Sequence, residues 1–328
     1  MTSSSTPTVL VTGGTGYLAT RLLADLLASG AAVRTTVRSL DREEEVRAAV
    51  RRAGADDGAL SFVAASLTDD EGWEAALAGI EEVHHTASPM IQTAVPDEVV
   101  IPARDGALRV LRAASHAGVR RVVLTSSFAA VGYSPKPVRD YDESDWTDPE
   151  TPGLPAYPLS KAVAERAAWD FVEREGAGLE LVALNPTWIA GPTLTASARS
   201  SLAVFTGMLD GTMTATPRQR FGMADVRDVS AAHLAAMSTP EAAGKRYLIL
   251  ADGPTMTFLD VADVLRRELG PLAERVPTVE ASGDEPAPLT IHNERAKREL
   301  GLRPRPAVAT IVETAESLRD LGLLAVRA

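Results

Sequence analysis

Thr8-Val9-Leu10-Val11-Thr12-Gly13-Gly14-Thr15-Gly16-Tyr17-Leu18-Ala19 joins a short apolar run to a glycine-rich turn and then to a leucine-rich segment. The run reads as a strand. The segment after it reads as a helix, because Leu18, Leu22, Leu23, Leu26 and Leu27 recur at helical spacing and Gly30 follows where a C-terminal cap belongs. The helix is expected from about Tyr17 to Ser29. A strand that turns through glycines into a helix N-terminus is the context of a dinucleotide fingerprint. Small residues let the backbone approach a pyrophosphate, and the free N–H groups and dipole of the helix end favour its charge. Gly13, Gly16 and Ala19 take the fingerprint positions, and Thr12, Gly13, Thr15, Gly16, Tyr17 and Leu18 form the candidate cradle.

Working outward, further apolar runs at Ala32 to Val37, Leu60 to Ala64, Glu82 to Thr86 and Arg121 to Thr125 alternate with amphipathic stretches. That alternation predicts βαβ crossovers, hence a parallel, doubly wound α/β sheet of the Rossmann kind. One intervening stretch, Asp41 to Ala53, is charged and places Glu43 and Arg47 for an i,i+4 pair. Two more strands are expected at Leu179 to Leu184 and Arg246 to Leu250. Residues 1–186 plus about 221–251 are expected to form the dinucleotide-binding domain. About 187–220 plus 252–328 are expected to form a smaller, discontinuous C-terminal substrate domain.

The composition narrows the function. A formal net charge of -11 without a basic stripe argues against nucleic-acid binding. With no cysteine there are no disulfides, thiolate metal sites or thiol chemistry. Met1 to Ser5 has neither a basic nor an apolar leader region and no run reaches membrane-spanning length, so a cytoplasmic protein off the membrane is expected.

Tyr157-Pro158-Leu159-Ser160-Lys161 follows a loop rich in proline and acid, Ser134 to Pro155. Pro158 suits the first helical position and biases Tyr157 away from αR. Positions four apart share a helix face, so Lys161 can lie beneath Tyr157 and lower the cost of its phenolate. Alone, two letters at this spacing recur by chance. The fifth strand, however, ends in Thr125-Ser126-Ser127, at the carboxyl edge where open α/β sheets bind ligands. A serine there can donate to a carbonyl oxygen while Tyr157 supplies a proton and a nicotinamide supplies hydride. Such donors count most in the transition state, when that oxygen gains negative charge. Lys161 can also reach the nicotinamide ribose. At the end of the second strand, Thr36-Val37-Arg38-Ser39 carries an arginine where an acid would select NAD, with Arg42 close behind. This favours NADP(H) over NAD(H), the rival being that Arg38 covers the adenine or lies in solvent.

These motifs in this order resemble the extended short-chain dehydrogenases/reductases, within the NAD-dependent epimerase/dehydratase superfamily, and most of all the dihydroflavonol reductase, cinnamoyl-CoA reductase and bacterial aldehyde reductase group. The residues that carry the resemblance run from Val11 to Gly16 through Thr36-Val37-Arg38, His85-Thr86-Ala87-Ser88-Pro89, Thr125-Ser126-Ser127, Asp142 to Trp146, Tyr157 to Lys161, and Asn185-Pro186 with Gly191-Pro192. The resemblance implies Ser127, Tyr157 and Lys161 as the catalytic set, with Ser126 the alternative serine. It implies cofactor contacts from Arg38, from Ala87 and Ser88, from Thr125, and from Asn185, Pro186 and Thr187 at the nicotinamide end. It also implies reduction of an aldehyde or ketone, reversibly, by a monomer or homodimer acting on a small-molecule carbonyl or alcohol. Two departures stand out. Ser66-Leu67 replaces the usual Asp-Leu that meets the adenine, and Glu45 falls near the place of a lysine that often assists the 2′-phosphate, leaving Arg42 to compensate.

Other candidates read more simply. His84 and His85 are consecutive on a strand and point to opposite faces, which argues against a shared metal and for packing, although His85 can reach the cofactor cleft. Asp228 fits the N-cap of a helix through Ala235. Leu194, Phe205, Met208 and Met213 can line a substrate pocket or pack as core. Two rival functions share the fold: a nucleotide-sugar epimerase or dehydratase, against which the region after Pro192 offers no evident basic cluster, and a non-catalytic dinucleotide sensor, against which Tyr157 and Lys161 stand.

Overall fold

The computed structural model describes residues 8–89, 95–196 and 202–324; Met1 to Ser5 lies outside them. The strands in chain order are β1 (Thr8–Val11), β2 (Ala32–Val37), β3 (Leu60–Ala64), β4 (Ile80–His85), β5 (Arg121–Thr125), β6 (Asp140–Tyr141), β7 (Glu180–Pro186), β8 (Trp188–Ala190), β9 (Arg220–Phe221), β10 (Met223–Asp225), β11 (Arg246–Ile249), β12 (Met256–Thr257) and β13 (Thr290–Ile291). The helices are α1 (Tyr17–Ala28), α2 (Glu43–Arg52), α3 (Trp73–Leu77), α4 (Pro96–His116), α5 (Ala156–Glu175), α6 (Ala203–Asp210), α7 (Val226–Ser238), α8 (Phe258–Leu269), α9 (Glu294–Leu300) and α10 (Ala307–Asp320).

Seven strands form one sheet in the order β11-β7-β5-β4-β1-β2-β3. Every pairing in it is parallel. The chain moves outward from β1 through β2 to β3, then returns to β4 on the other side of β1. The carboxyl ends of β1 and β4 therefore flank a topological switch point, where no crossover covers the crevice and ligands of such sheets bind.

Apolar alternation decides which helix covers which face. Leu22, Leu23 and Leu26 of α1 pack with Val46 and Val50 of α2 on the inward residues of β1 and β2. Val110 and Leu111 of α4 and Phe171 of α5 cover the opposite face over β4, β5 and β7. A separate core of Phe205, Met208, Val261, Leu265 and Ile311 joins α6, α8 and α10 beyond the sheet, with Trp188 stacked on Phe205 at 5.2 Å.

Three local expectations change. Helix α5 begins at Ala156 with Pro155 as its N-cap, so Tyr157 is inside the first turn and Pro158 is the third helical residue rather than the first. The helix tolerates this because first-turn N–H groups have no intrahelical acceptor to lose. The N-cap of α7 is Asp225, whose carboxylate accepts from the Arg227 N–H, and Asp228 instead holds Arg305. Arg47 does not pair with Glu43. It reaches the Asp57 and Leu60 carbonyls and the Asp57 carboxylate and lies 4.9 Å from the Phe62 ring centroid, where three fixed acceptors outweigh one solvated carboxylate.

Arg121 anchors the sheet to α7. Although only 1% exposed, it is saturated with partners. Its Nε donates to Glu180 at 2.7 Å, and its terminal nitrogens donate to the Ala236, Met237, Thr239 and Pro240 carbonyls around the end of α7. Truncation would strand those carbonyls, while Glu180 would keep Arg120 as a partner. Arg121→Ala is expected to lower unfolding free energy by about 3–5 kcal/mol, measured by urea denaturation; a loss under about 1 kcal/mol would show that the network is dispensable.

Candidate active site

The glycine turn lies at the carboxyl end of β1. Gly13 has φ +73°, a region closed to most side chains, and an added Cβ would sit 3.0 Å from the Ala87 Cβ. At Gly14 a Cβ would run into Thr35 Oγ1 at 2.4 Å. The Gly13 and Gly14 N–H groups donate to Thr36 Oγ1 and O, fastening the turn to β2. Gly16 is the N-cap of α1, which has no side-chain cap and no acidic residue in its first turn. An uncapped helix end beneath a glycine turn fits the pyrophosphate of a dinucleotide, whose oxygens would take the orphan N–H groups. Thr15 is half-buried beside it. Leu18 points into the core, and Tyr17 turns away to donate to the Gly191 carbonyl at 2.6 Å. Burial and the nearby Asp225 hold the Tyr17 hydroxyl well above its usual range, so this phenol stays protonated. Neither side chain faces the turn, so only the backbone of these two expected cradle residues is placed to meet a dinucleotide.

Thr12 links the turn to β4. Its Oγ1 accepts from the Ala87 N–H at 3.1 Å and hydrogen-bonds His85 Nδ1 at 2.8 Å. Burial, reinforced by the Lys161 charge, depresses His85 to about 3, so it is a neutral hydrogen-bonding partner. At the far end of β2, Arg38 is exposed and has no hydrogen bond or ion pair among the described residues. Arg42 is engaged by Glu45 at 2.6 Å and is thus not free to replace the missing lysine without giving up that partner. Ser66 hydrogen-bonds Thr68 Oγ1 at 2.9 Å, and its carbonyl receives the Trp73 indole. Leu67 packs on Gly106, where an added Cβ would approach its own to 2.9 Å, and its carbonyl accepts from Arg109.

The reacting groups converge at the other side of the switch point. Lys161 Nζ donates to Ser88 Oγ at 3.1 Å and lies 5.8 Å from the Tyr157 ring centroid. Tyr157 is 47% exposed and, with Ser127, Pro186 and Thr187, lines a cavity of about 660 Å³. The two serines differ. Ser126 is buried and donates a hydrogen bond to Glu165, whereas Ser127 Oγ accepts from the Ala129 N–H at 3.1 Å and its own O–H has no acceptor among the described residues. Thr125 faces the other way, bonded to His233 Nε2 at 2.8 Å.

Glu165 is absent from the sequence reading, and Arg246 enters it only as the start of a strand. Glu165 follows Tyr157 and Lys161 at successive fourth positions on α5, a regularity that could have pointed to it. Its buried carboxylate accepts from Ser126, from Asn185 Nδ2 at 2.7 Å and from Arg246 Nε at 2.6 Å. Asn185 Nδ2 also donates to the Ser127 carbonyl at 3.1 Å, while its buried Oδ1 has no partner among the described residues. Arg246 sits 3.6 Å from the Trp146 ring centroid, which gives the Asp142 to Trp146 segment a structural role.

The cavity lining decides one alternative and corrects one expectation. Phe205 and Met208 are fully buried core, and none of Leu194, Phe205, Met208 or Met213 reaches the cavity. A basic cluster does exist: Lys136, Arg139, Arg218 and Arg220 line it. The latter two follow Pro192, but two residues apart on a short segment they make no visible run.

Fold and site together define a doubly wound dinucleotide enzyme. A family model described as "NAD dependent epimerase/dehydratase family" matches residues 9–249, and the chain belongs to that family. It is 33% identical over 330 residues to cinnamoyl-CoA reductase 1 of Petunia hybrida, covering 99% of this chain and 96% of that one. Among solved structures, yeast methylglyoxal/isovaleraldehyde reductase Gre2 complexed with NADPH superposes with a TM-score of 0.82 at 27% identity, over 96% of this chain and 99% of that one. Vestitone reductase from alfalfa superposes with a TM-score of 0.77 at 26% identity, over 97% and 99%.

Beneath the site, His84 Nδ1 meets His233 Nδ1 at 3.3 Å in a fully buried pair. Burial depresses His84 to about 3 and His233 well below its ordinary value, the latter helped by His84 and His85. With folded pKa values below the unfolded 6.5, these histidines favour the native state fully above pH 6.5, and that contribution is lost as pH falls from 6.5 toward 3. Each is expected to add about 1.4 kcal/mol per pH unit to the acid slope. Unfolding free energies measured from pH 7 to 4.5 should show that slope reduced in His233→Gln; an unchanged slope would contradict the assignment.

Proposed function

We propose that the protein reduces an aldehyde or ketone to an alcohol, reversibly, and prefers NADPH to NADH. The observation that carries this reading is the convergence of Ser127, with its proton uncommitted, and Tyr157, backed by Lys161, on one cavity at the carboxyl edge of the sheet. A bound reduced nicotinamide supplies the hydride. Gly13, Thr15 and Gly16 with the start of α1 would hold its pyrophosphate, and Ala87, Ser88 and Asn185 to Thr187 would flank its nicotinamide end.

The protein's own groups then have distinct work. Ser127 donates a hydrogen bond to the carbonyl oxygen, fixing it and offsetting the charge that grows there. Tyr157 gives the same oxygen a proton, acting as general acid. Lys161, tied to Ser88, keeps a positive charge beside the ring that becomes negative when the proton leaves. The catalytic serine in this reading is Ser127, because Ser126 is committed to Glu165. Residues 187–220 and 252–328 are proposed to complete the substrate side against the sheet domain of residues 1–186 and about 221–251.

Cofactor preference is assigned to Arg38, an exposed guanidinium at the end of β2 that is without a protein partner among the described residues. The NADPH in the yeast Gre2 complex supports it.

Oxidation of NADPH followed at its absorbance band, with a panel of aromatic aldehydes and ketones, tests the activity. Tyr157→Phe is expected to lower kcat about 10²–10⁴-fold, and Ser127→Ala about 10²–10³-fold, with Ser126→Ala much milder. Conversion of UDP- or dTDP-sugars without any carbonyl reduction would overturn the reading. Arg38→Ala should raise the KM for NADPH about 10–100-fold, the loss of a charge-assisted bond, and that for NADH far less; equal effects on both would remove Arg38 from cofactor choice.

A further inference from the structure

The protein carries a formal net charge of -11, yet its main cavity is lined by Lys136, Arg139, Arg218 and Arg220 and by no Asp or Glu among the described residues. Two of these cations are neutralised locally. Lys136 is paired with Asp145, and Arg218 Nε lies 3.6 Å from Glu280. Arg139 and Arg220 have no carboxylate within ion-pair distance among the described residues. Each donates a single bond to a backbone carbonyl, Arg139 to Ala287 at 3.2 Å and Arg220 to Thr255 at 2.8 Å. Arg220 Nε is buried with no hydrogen-bond partner among the described residues. A buried donor left unpaired is destabilising, and an incoming acceptor would relieve it.

These cations are not spare phosphate holders for the dinucleotide, since neither the glycine turn nor Arg38 lines this cavity. The wall also carries six further aromatic residues, Phe128, Tyr133, Tyr141, Trp188, Phe221 and Phe258, in a chain whose aromatic content is only 5%. A space of about 660 Å³ with flat apolar walls, a proton donor pair at one place and unneutralised guanidiniums at another is a two-point recognition site. Gly222 ties the two points together. Its carbonyl accepts from Trp188, beside Thr187 at the reacting end, and it lies two residues after Arg220.

We propose that the carbonyl substrate carries an anionic oxyacid group, a carboxylate or a phosphate monoester, on an aromatic or similarly flat body, and that Arg220 with Arg139 binds that group while Ser127 and Tyr157 address the carbonyl. The inference rests on the reductase reading for its second half only. Guanidinium forks match two-oxygen acceptors in plane, so the neutral ester of such an acid should be the poorer ligand.

The test compares 4-carboxybenzaldehyde with methyl 4-formylbenzoate, and adds 4-formylphenyl phosphate to separate the two oxyacids. Turnover is measured with NADPH, and binding to the full-length protein saturated with NADP⁺ by calorimetry. The wild type is expected to favour an anionic probe over the ester at least tenfold in kcat/KM and in affinity, the preference shrinking as salt rises. In Arg220→Gln and in Arg139→Gln the acid-to-ester ratio should fall toward one. A wild type that takes the ester as well as the acids, that binds none of the probes, or whose arginine variants weaken acid and ester equally overturns the proposal. If the variants do not fold, the wild-type ratio and its salt dependence decide. Selective binding of the acid without turnover of any probe would sink the reductase reading and leave the anion site standing; turnover without selectivity does the reverse.

Discussion

The buried carboxylate of Glu165 is the constraint on which the site depends. Its side chain is fully shielded from water and that of Arg246 nearly so. Charges removed from water each lose several kcal/mol of solvation, recovered only when geometry is good and the remaining lone pairs are satisfied. Here Arg246 Nε, Ser126 Oγ and Asn185 Nδ2 supply short bonds, with the Trp169 indole at 3.3 Å. Those donors come from β11, the end of β5 and β7, while the acceptor comes from α5. The pair therefore fixes the rotation of α5 over three strands of the sheet. Because Tyr157, Lys161 and Glu165 fall on one stripe of that helix, fixing Glu165 aims the other two at the sheet edge.

The same anchor divides the labour of two adjacent serines. Neighbouring residues at a strand end point to opposite sides, so one hydroxyl is drawn into the interior by Glu165 and the other is left at the cavity. Asn185 holds the Ser127 carbonyl and thereby the turn that presents this second hydroxyl. On the cofactor side, neutral imidazoles do comparable work. His85 braces Thr12, and His233 braces Thr125, each without bringing a charge beneath the switch point.

Charge is also distributed unevenly. The surface is strongly acidic, but the cavity collects guanidiniums from the loop before α5 and from β9, segments about eighty residues apart in sequence. Each fastens a carbonyl of the 254–290 region, so the residues that would meet an anionic ligand also hold the cavity's outer wall in place. Recognition and closure of the wall are thereby carried by the same side chains.

Local pattern was enough for much of this molecule. The runs at Ala32 to Val37, Leu60 to Ala64 and Arg121 to Thr125 became strands with those bounds, because β-branched and apolar residues between polar turns favour the extended chain. The glycine turn was legible because only glycine tolerates the backbone at Gly13 and the proximity of Thr35 at Gly14. The fourfold spacing of Tyr157 and Lys161 survives any small shift of the helix start, so the pair stayed on one face although α5 begins before Pro158. What the chain order could not contain was who pairs with whom at a distance. Arg47 met Asp57, Ser126 met Glu165, and the cavity wall drew on residues 133–141, 218–222 and 286–289 rather than on the apolar residues around Met208. Backbone conformation and helical or strand period are short-range properties that each segment imposes on itself. Partner choice among charged and polar groups depends on desolvation and on three-dimensional proximity, and those exist only once the sheet has brought its edges together.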